Sequence, residues 1–299
     1  MYHGVINVYK EAGFTSHDVV ARLRGICKQK KIGHTGTLDP DAVGVLPVCL
    51  GNATRLCDML TDRTKEYVAS FRLGIVTDTQ DLSGKVLESH TPDRDPQSVR
   101  QAVSSFVGDQ LQIPPMYSAL KVDGKRLYEL AREGKTVERK ARQITIYELE
   151  LLKEAHPDYT MRVCCSKGTY IRTLCHDIGQ KLGCGGVMTH LLRSRVGEFR
   201  AEDAYRLSEI QSFAEAGRLQ EILVPTENMF SQFMTLKVKD SGLKALQNGN
   251  KLFPSQVVWE KEPAAGQELR VYGKDGQFFG IYRYDAEEKL FCPVKMFFE

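Results

Sequence analysis

A stretch rich in glycine and proline, residues 33–47, constrains the fold of this chain more than any other segment. It reads GHTGTLDPDAVGVLP and sets one carboxylate, Asp39, among glycines, prolines and small polar residues. Glycines permit backbone conformations that other residues avoid, and they let a large partner approach the main chain. The composition therefore predicts a loop built around a functional group, with Asp39 as the candidate chemical centre.

Asp39 also has a purely structural interpretation. Asp39-Pro40-Asp41 fits the start of a helix, with Asp39 as N-cap and Pro40 at the first helical position. Most Asp-Pro pairs are turns or caps, so the pattern alone favours this interpretation. The neighbourhood favours the functional one, because His34 lies close by and a basic segment, residues 22–31, runs directly into the loop. An anionic ligand would be held beside the carboxylate.

Length and composition are those of a soluble globular protein. The chain has 299 residues, of which 42% are hydrophobic and 26% charged, and its length predicts about two domains. Its 41 basic and 38 acidic residues give a formal net charge of +3, which does not by itself indicate a nucleic-acid-binding protein. Basic charge is local instead, at residues 22–31 and 135–142, and a solvated face is the default explanation for either cluster.

Cysteine spacing and the N-terminal sequence indicate the cellular compartment of the protein. The eight cysteines show no paired CxxC spacing, which suggests neither a zinc site nor a disulfide framework and favours a reducing compartment. The N-terminus carries no charged-then-apolar leader, and no apolar run approaches the ~20 residues that span a bilayer. We therefore expect a cytoplasmic protein that binds neither a metal ion nor a membrane.

Periodicity predicts strands and helices that alternate irregularly. Residues 5–9 and 67–73 have the pattern of strands, and in the second of these Tyr67 falls on the apolar face, as a core tyrosine would. Capping signals predict helices that begin near residues 16 and 96, and a tight turn over residues 122–125 precedes another helix. This order favours a mixed α/β sheet over a repeating parallel one.

A further helix is predicted after the strand that ends at Cys165. Its buried stripe runs from Ile171 to Leu182, and Arg172 lies off this stripe in the first turn. The helix dipole opposes a cation there by ~0.3–1 kcal/mol, which a nearby carboxylate would more than offset. The sequence therefore hints at an acidic partner for Arg172. The alternative is a surface arginine that points into water.

The C-terminal part of the chain has a different pattern. Apolar content thins after Val224, residues 225–232 resemble a connection, and strands separated by Gly or Asp turns follow at residues 268–272, 278–284 and 290–294. This pattern predicts a small β-barrel. The pattern itself specifies no ligand, so a dimerisation or solubilising domain remains an alternative.

Four ordered blocks and the loop carry a resemblance to a known family. The loop sequence GHTGTLDP, residues 33–40, closely resembles the signature of the TruB family of tRNA pseudouridine synthases. The further blocks are similar to those of the family and occur in the same order: KEY at 65–67, QIPPMYSALK at 112–121, LYELAREG at 127–134 and GTYIRTL at 168–174. The resemblance covers most of the first 200 residues, and the last 65 or so match only loosely.

The resemblance implies a cofactor-independent isomerase that converts uridine 55 in the T loop of tRNA to pseudouridine. It assigns the role of nucleophile to Asp39. Three roles remain open for its carboxylate: attack on the sugar, attack on the ring, or assistance to loss of the C2′ proton. Arg172 is the implied cation that orients this carboxylate. Tyr67 is implied as a stacking platform for the uracil, or as the acceptor of its C5 proton, although its ordinary pKa of ~10 makes it a poor base.

The same resemblance implies the substrate-binding residues. The target uridine is inaccessible inside a folded loop and must be flipped out, and His34 matches the residue that fills the vacated stack. Tyr170 and Leu191 match positions that line the substrate pocket, although periodicity alone would place either in the core. Lys10 is implied to have a phosphate or a structural role, and the following residue departs from the family pattern, since Glu11 replaces a proline.

These implications combine into one prediction. We expect a mixed-sheet α/β (α+β) pseudouridine synthase domain over residues 1–229 and a C-terminal PUA-like RNA-binding domain over residues 233–299. We expect the protein to act on the T-stem-loop of tRNA. It should act as a monomer with no obligate protein partner. Asp41 occupies a position where small or apolar residues are commoner, and we expect it to raise the pKa of Asp39. One rival is a guide-RNA-dependent synthase acting on ribosomal RNA, although such proteins usually carry longer termini. The other is a non-catalytic tRNA-folding factor.

Overall fold

The fold was analysed in a computed structural model, which describes residues 1–92, 95–122 and 124–298. The predicted turn over residues 122–125 includes Asp123, which lies outside the described residues. The strands are β1 Gly4–Lys10, β2 Ile32–His34, β3 Val43–Leu50, β4 Lys65–Leu73, β5 Ile75–Thr77, β6 Val86–Ser89, β7 Gly108–Gln112, β8 Lys121–Val122, β9 Lys125–Arg126, β10 Arg142–Ala155, β11 Asp158–Cys165, β12 Gly186–Val196, β13 Phe199–Arg200, β14 Met234–Val238, β15 Val257–Trp259, β16 Glu268–Tyr272, β17 Phe278–Asp285 and β18 Leu290–Met296.

Short helices connect these strands. The α-helices are α1 Ser16–Ile26, α2 Cys57–Thr61, α3 Pro96–Ser104, α4 Leu127–Arg132, α5 Ile171–Lys181, α6 Leu207–Glu215 and α7 Leu243–Gln247. Short 3₁₀-helices occur at Gly51–Leu56, Leu219–Ile222, Thr226–Phe230, Asp240–Gly242 and Pro254–Gln256. Within the described ranges, no helix has both the length and the apolar composition needed to cross a membrane.

A mixed sheet forms the centre of the larger part of the molecule. Its strands pair in the order β1-β3-β12-β4-β11-β10-β7, with β2 added to β3 and β13 added to β12. Neighbouring strands are antiparallel except for β3 and β12, which are parallel. The predicted mixed α/β class is confirmed, because parallel and antiparallel pairs coexist in one sheet and the helices fall between strands at irregular intervals.

Local sequence signals explain the elements on either side of this sheet. Thr15 and Asp18 form a capping box at the start of α1, and Val19 and Leu23 on its apolar side are fully buried or nearly so. In β4, alternate residues from Lys65 to Leu73 are buried, as the period-two pattern predicts. The buried side chains of β4, β11, β12 and α5 form one core that includes Leu38 from the signature loop.

The C-terminal strands form a separate five-stranded sheet in the order β15-β14-β16-β17-β18. The predicted strand-rich unit is therefore present, but the ladder is open rather than a closed barrel. The two edge strands of this sheet, β15 and β18, do not pair with each other. β15 has three residues and pairs with β14, and at the other edge the backbone of Leu252 pairs with Phe291 of β18. The chain just before β15 thus covers the free edge of β18 through one bridge instead of a full strand.

The signature loop differs from the helix-start interpretation of Asp39. Residues 35–42 form no helix, and strand β3 begins directly after them at Val43. The amide of Ala42 donates to the carbonyl oxygen of Asp39 at 3.1 Å, so the Asp-Pro pair makes a turn. Because β2 and β3 pair with each other on either side of the loop, tertiary strand pairing overrides the local capping signal.

Candidate active site

The signature loop is anchored from beneath by Lys10. This residue is fully buried, and its ammonium donates to the carbonyl oxygens of Ala42 at 2.6 Å, Pro40 at 2.8 Å and Glu11 at 3.1 Å. Burial lowers the pKa of Lys10 to about 8, while the charges of Asp39 and Asp41 oppose the change. All three ammonium donors are thus engaged with the backbone, which supports the structural role over the phosphate-binding role for Lys10.

A second anchor comes from α1 and from neighbouring backbone. The hydroxyl of Ser16 accepts a hydrogen bond from the amide of Leu38 at 2.9 Å, and the amide of Gly13 donates to the carbonyl of Pro40 at 3.0 Å. Both partners are in the segment that follows β1. The residues on either side of Asp39 are therefore fixed, which holds its carboxylate in one direction.

The carboxylate of Asp39 is held by the guanidinium of Arg172, in the first turn of α5. Arg172 Nε lies 2.9 Å from Asp39 Oδ2, and Nη2 lies 3.2 Å from Oδ1, so the contact has the two-point geometry of an arginine–carboxylate fork. The Arg172 side chain is 5% exposed, whereas that of Asp39 is 38% exposed. The acidic partner predicted for Arg172 is present, and the nucleophile candidate faces an opening.

Arg172 is itself fixed by two backbone carbonyls from distant segments. Its Nη2 donates to Tyr117 at 2.7 Å, and its Nη1 donates to Thr79 at 3.0 Å. Asp81 Oδ2 lies 3.6 Å from Nη1 as a second, weaker ionic partner. The arginine thus joins the signature loop to the β5–β6 connection and to the segment that follows β7.

Protein groups surround the Asp39 carboxylate on all sides but the opening, and this partial desolvation raises the pKa of its carboxyl above the ordinary value. Arg172 opposes the change, Asp81 adds to it, and Lys10 opposes it. We expected Asp41 to add to it as well. The structure instead shows Asp41 as an exposed residue whose charge acts on Lys10, and the carboxylate that raises the pKa of Asp39 is Asp81.

Tyr67 and Leu191 lie in the same buried cluster as Leu38 of the loop. Tyr67 is 7% exposed on β4, and Leu191 is 6% exposed on the neighbouring strand β12. Burial raises the pKa of the Tyr67 phenol, and the positive charge of Arg193 opposes the change. Both residues therefore belong to the core, as their periodicity predicts, in the cluster that also holds Leu38, the neighbour of Asp39.

His34 ends strand β2 at the edge of the loop. Its Nδ1 accepts a hydrogen bond from the amide of Gly36 at 3.3 Å, which requires a neutral ring with the proton on Nε2. Burial lowers the pKa of the imidazole, and the charges of His17 and Arg193 act in the same direction. His34 is therefore a neutral flat ring at neutral pH.

Tyr170 is the residue that precedes α5. Its backbone forms two hydrogen bonds with the side chain of Gln112, one donated by the Tyr170 amide at 2.8 Å and one accepted by its carbonyl at 3.1 Å. Burial raises the pKa of the Tyr170 phenol above its ordinary value. The start of α5, and with it Arg172, is thereby tied to the end of β7.

The sequence interpretation missed two charged residues at this site, Asp81 and Arg193. Asp81 reaches it because its short connection pairs with Met188 of β12, and its Oδ1 accepts hydrogen bonds from Thr79 and Ser83. Arg193 is 1% exposed, in a strand position that otherwise favours apolar side chains. No local periodicity distinguishes either of them from a surface charge, since both placements follow from contacts between distant segments.

The thiol and metal-binding inventory is brief. All eight cysteines are free thiols. Across residues 1–92, 95–122 and 124–298, no three His, Cys, Asp or Glu side chains come together in a group that could hold a metal ion. The chemical groups at Asp39 itself are a carboxylate and the guanidinium that orients it.

Comparison with known proteins identifies the family. Residues 24–171 match the model of the TruB family pseudouridylate synthase N-terminal domain, and residues 172–231 match that of the tRNA pseudouridylate synthase B C-terminal domain. A protein of Lachnoclostridium phytofermentans named tRNA pseudouridine synthase B is 50% identical over 305 residues, covering 99% of each chain. The chain belongs to the TruB family. A TruB relative of the same name from Alkaliphilus oremlandii is 42% identical over 299 residues, again covering 99% of each chain.

Solved structures of other proteins are also similar in fold to this TruB family member. A crystal structure of a Cbf5-Nop10-Gar1 complex contains a chain that is 28% identical, with a TM-score of 0.74, and the match covers 99% of this chain and 85% of that chain. A structure of an H/ACA RNP bound to a substrate RNA containing 2′-deoxyuridine contains a chain that is 26% identical, with a TM-score of 0.73. The match covers 99% of this TruB family member and 86% of that chain.

Proposed function

We propose that this TruB family member is a tRNA pseudouridine-55 synthase. The observation that carries the proposal is the contact between the Asp39 carboxylate and the Arg172 guanidinium, placed at an opening beside Tyr67. Relatives matched over 99% of their length bear the name tRNA pseudouridine synthase B, which supports tRNA as the substrate class. The reaction is an isomerisation, since the product has the same atoms as uridine.

The reaction breaks the bond between ribose C1′ and uracil N1 and rejoins the base through C5. The base loses the C5 proton and gains a proton at N1, so the atoms balance. No electron is gained or lost, so neither a redox cofactor nor an external group is needed. Attack on the sugar, attack on the ring and assistance to loss of the C2′ proton all use the same charged form of Asp39. Arg172 supplies this form in a fixed direction, because two of its nitrogens contact the two carboxylate oxygens.

The target uridine must leave its stacked position before it can meet Asp39. We propose that Tyr67 offers its ring to the extruded uracil and that Leu191 and Tyr170 line the same pocket. His34 is proposed to occupy the gap left in the RNA stack. Its neutral state supports this role, since an uncharged ring stacks on bases without the cost of desolvating a cation.

The C-terminal sheet is proposed to act as a PUA-like RNA-binding domain, with residues 1–229 as the catalytic domain and residues 233–299 as the second one. The two parts pack through a cluster of aromatic rings, in which Phe230 lies against Phe278 and Phe297. Arg55 donates to the carbonyl of Met296 at 2.8 Å. Such an interface would hold the second domain at a fixed angle to the cleft. We further propose that the protein acts as a monomer in the cytoplasm with no obligate protein partner.

The proposal is tested by incubating the purified protein with unmodified tRNA transcript and mapping pseudouridine chemically at every uridine. We expect modification at position 55 without guide RNA or cofactor. An Asp39→Asn protein is the matched control and should leave the transcript unmodified. Modification only after addition of a guide RNA would support the guide-dependent alternative, and full complementation by Asp39→Asn in cells would support the tRNA-folding alternative.

The pH dependence of the reaction should respond to Asp81. Because Asp39 must be charged, the single-turnover rate falls as the pH drops through its raised pKa. Asp81→Asn removes the carboxylate that raises this pKa, so we expect the acidic limb of the pH–rate profile to move to lower pH. The asparagine keeps Oδ1 as an acceptor for Thr79 and Ser83. Asp78→Asn, at an exposed position in the same connection, is the control. An acidic limb of the pH–rate profile that moves to higher pH in Asp81→Asn would contradict the account.

Substitutions of Tyr67 should separate stacking from proton transfer. If the ring stacks on the uracil, Tyr67→Phe retains tRNA binding, whereas Tyr67→Leu weakens it about tenfold. Equilibrium binding of unmodified tRNA and single-turnover rates measure the two effects. Loss of turnover in both variants with intact binding would instead assign proton transfer to the phenol.

A further inference from the structure

Among the residues that the structure describes, Arg193 has the largest side chain that is almost completely buried. It is 1% exposed and lies on β12, in the row directly opposite Tyr67 of β4. On its other side, Arg193 pairs with Gly44 of β3. A Cβ atom at Gly44 would lie 2.3 Å from the carbonyl oxygen of Arg193, so only glycine permits this approach of the two strands. The position brings one guanidinium between the signature loop and Tyr67.

The guanidinium holds both ends of the signature loop. Its Nε donates to the carbonyl oxygen of Val45 at 2.7 Å, after the loop. Before Asp39, Nη2 contacts the carbonyl of Gly36 at 3.3 Å and Nη1 contacts that of Thr37 at 3.4 Å. The positive charge of the same group also acts on the Tyr67 phenol and favours its ionised form. One planar group therefore contacts the backbone on both sides of Asp39 and belongs to the residue that faces Tyr67 across the paired strands.

The charge of Arg193 has no acidic counterion nearby. Among the residues that the structure describes, no carboxylate oxygen lies within 4.0 Å of its nitrogens, in contrast to Arg172. A buried cation without a carboxylate is costly to the fold, and an arginine that served only to fill space would be replaced by an apolar residue at less cost. The polar groups that its nitrogens contact are the backbone carbonyl oxygens of Gly36, Thr37 and Val45.

We propose that Arg193 is a positioning residue for the proposed isomerisation. It fixes the position of the Tyr67 ring and hydroxyl relative to the loop that carries Asp39. It contacts no reacting atom itself. Its role is to fix the separation between the carboxylate that acts on the nucleoside and the aromatic ring that faces the base. This inference rests on the proposed function of the site, but its physical content, the coupling of Arg193 to Tyr67, can be measured without any reaction.

The first test is kinetic. Arg193→Lys keeps a positive charge but cannot contact the three carbonyl oxygens with one planar group. We expect its single-turnover rate at saturating protein to fall roughly 10²-fold, as for a small misplacement of reacting groups, with tRNA affinity unchanged. Arg195→Lys, two residues along the same strand on the solvent-facing side beside Glu66, is the control and should keep the wild-type rate. A wild-type rate in Arg193→Lys would overturn the proposal.

The second test asks whether the effect passes through Tyr67. In a Tyr67→Phe background the phenol is already absent, so adding Arg193→Lys should lower the rate by much less than it does alone. Equal effects in both backgrounds would show that Arg193 only supports the loop, and would overturn the proposal. If the Tyr67→Phe rate is too low to measure, the next experiment decides the point alone.

The third test needs no RNA. Tyrosine labelled with ¹³C at Cζ reports the ionisation of Tyr67 by NMR, with Tyr67→Phe used to assign its signal. Loss of the cation in Arg193→Met should raise the pKa of the Tyr67 phenol above that of the wild type, because a nearby positive charge favours the phenolate. An unchanged signal would overturn the proposal. Should the wild type fail to modify tRNA while this coupling is present, the proposed function fails and the Arg193–Tyr67 link stands.

Discussion

Replacing Asp39 by asparagine is expected to lower the single-turnover rate of pseudouridine formation by roughly 10⁴-fold or more, the scale on which enzymes lose activity when their nucleophile is removed. The substitution preserves the shape of the side chain and one oxygen acceptor for Arg172. It removes the negative charge that all three possible roles of the carboxylate require. Rapid mixing of excess protein with unmodified tRNA, followed by chemical mapping, measures the rate.

The fold and the RNA affinity should survive this change. Lys10, Ser16 and Arg193 hold the loop through its backbone, and none of these contacts uses the Asp39 carboxylate. Asp41→Asn is the matched control, because it makes the same aspartate-to-asparagine change at an exposed position two residues from Asp39. We expect wild-type rates from it. Activity of Asp39→Asn near that of Asp41→Asn would remove Asp39 from the mechanism.

The second large effect is expected for Arg172→Lys. The lysine keeps the charge but offers one nitrogen, whereas Arg172 contacts both oxygens of Asp39 and the carbonyls of Thr79 and Tyr117. The carboxylate would stay charged but lose its fixed direction. We expect the chemical step to slow by roughly 10²- to 10³-fold with the fold intact. Single-turnover rates and the thermal unfolding midpoint together measure the two parts of this prediction.

The structure offers a close control for that substitution. Arg72 and Asp158 form a second fork, with Nε–Oδ1 at 2.8 Å and Nη2–Oδ2 at 2.9 Å, but both side chains are about half exposed. Surface pairs of this kind contribute little to stability. Arg72→Lys should therefore leave both the rate and the unfolding midpoint unchanged. Near-normal chemistry in Arg172→Lys would remove its orienting role.

Local signals in the sequence predicted part of the site for identifiable physical reasons. The capping box at Thr15 and Asp18, the alternating burial of β4 and the apolar stripe of α5 each depend on residues a few positions apart. The position of Arg172 off that stripe, at the positive end of the helix dipole, pointed to an acidic partner, and the structure contains one in Asp39. Such inferences succeed because the interaction leaves a trace within a single element.

The remaining features depend on pairing between distant segments. Asp39 looked like an N-cap by its neighbours, yet the pairing of β2 with β3 makes it part of a loop. Arg193 has the polarity of a surface residue and becomes buried because β12 lies between β3 and β4. The C-terminal strands form an open ladder, in which β15 pairs with β14 and a single bridge joins Leu252 to Phe291 of β18. No window of sequence contains these partners together.

The central claim is that an extruded uridine meets the Asp39 carboxylate while Arg172 holds it. The most direct test is a crystal structure of the Asp39→Asn protein bound to an unmodified tRNA T-stem-loop. We predict that the target uridine lies outside the RNA stack, with its ring on Tyr67, its ribose C1′ and its base beside residue 39, and His34 in the vacated stack. A uridine that stays stacked within the loop, or that enters a pocket remote from residue 39, would contradict the account.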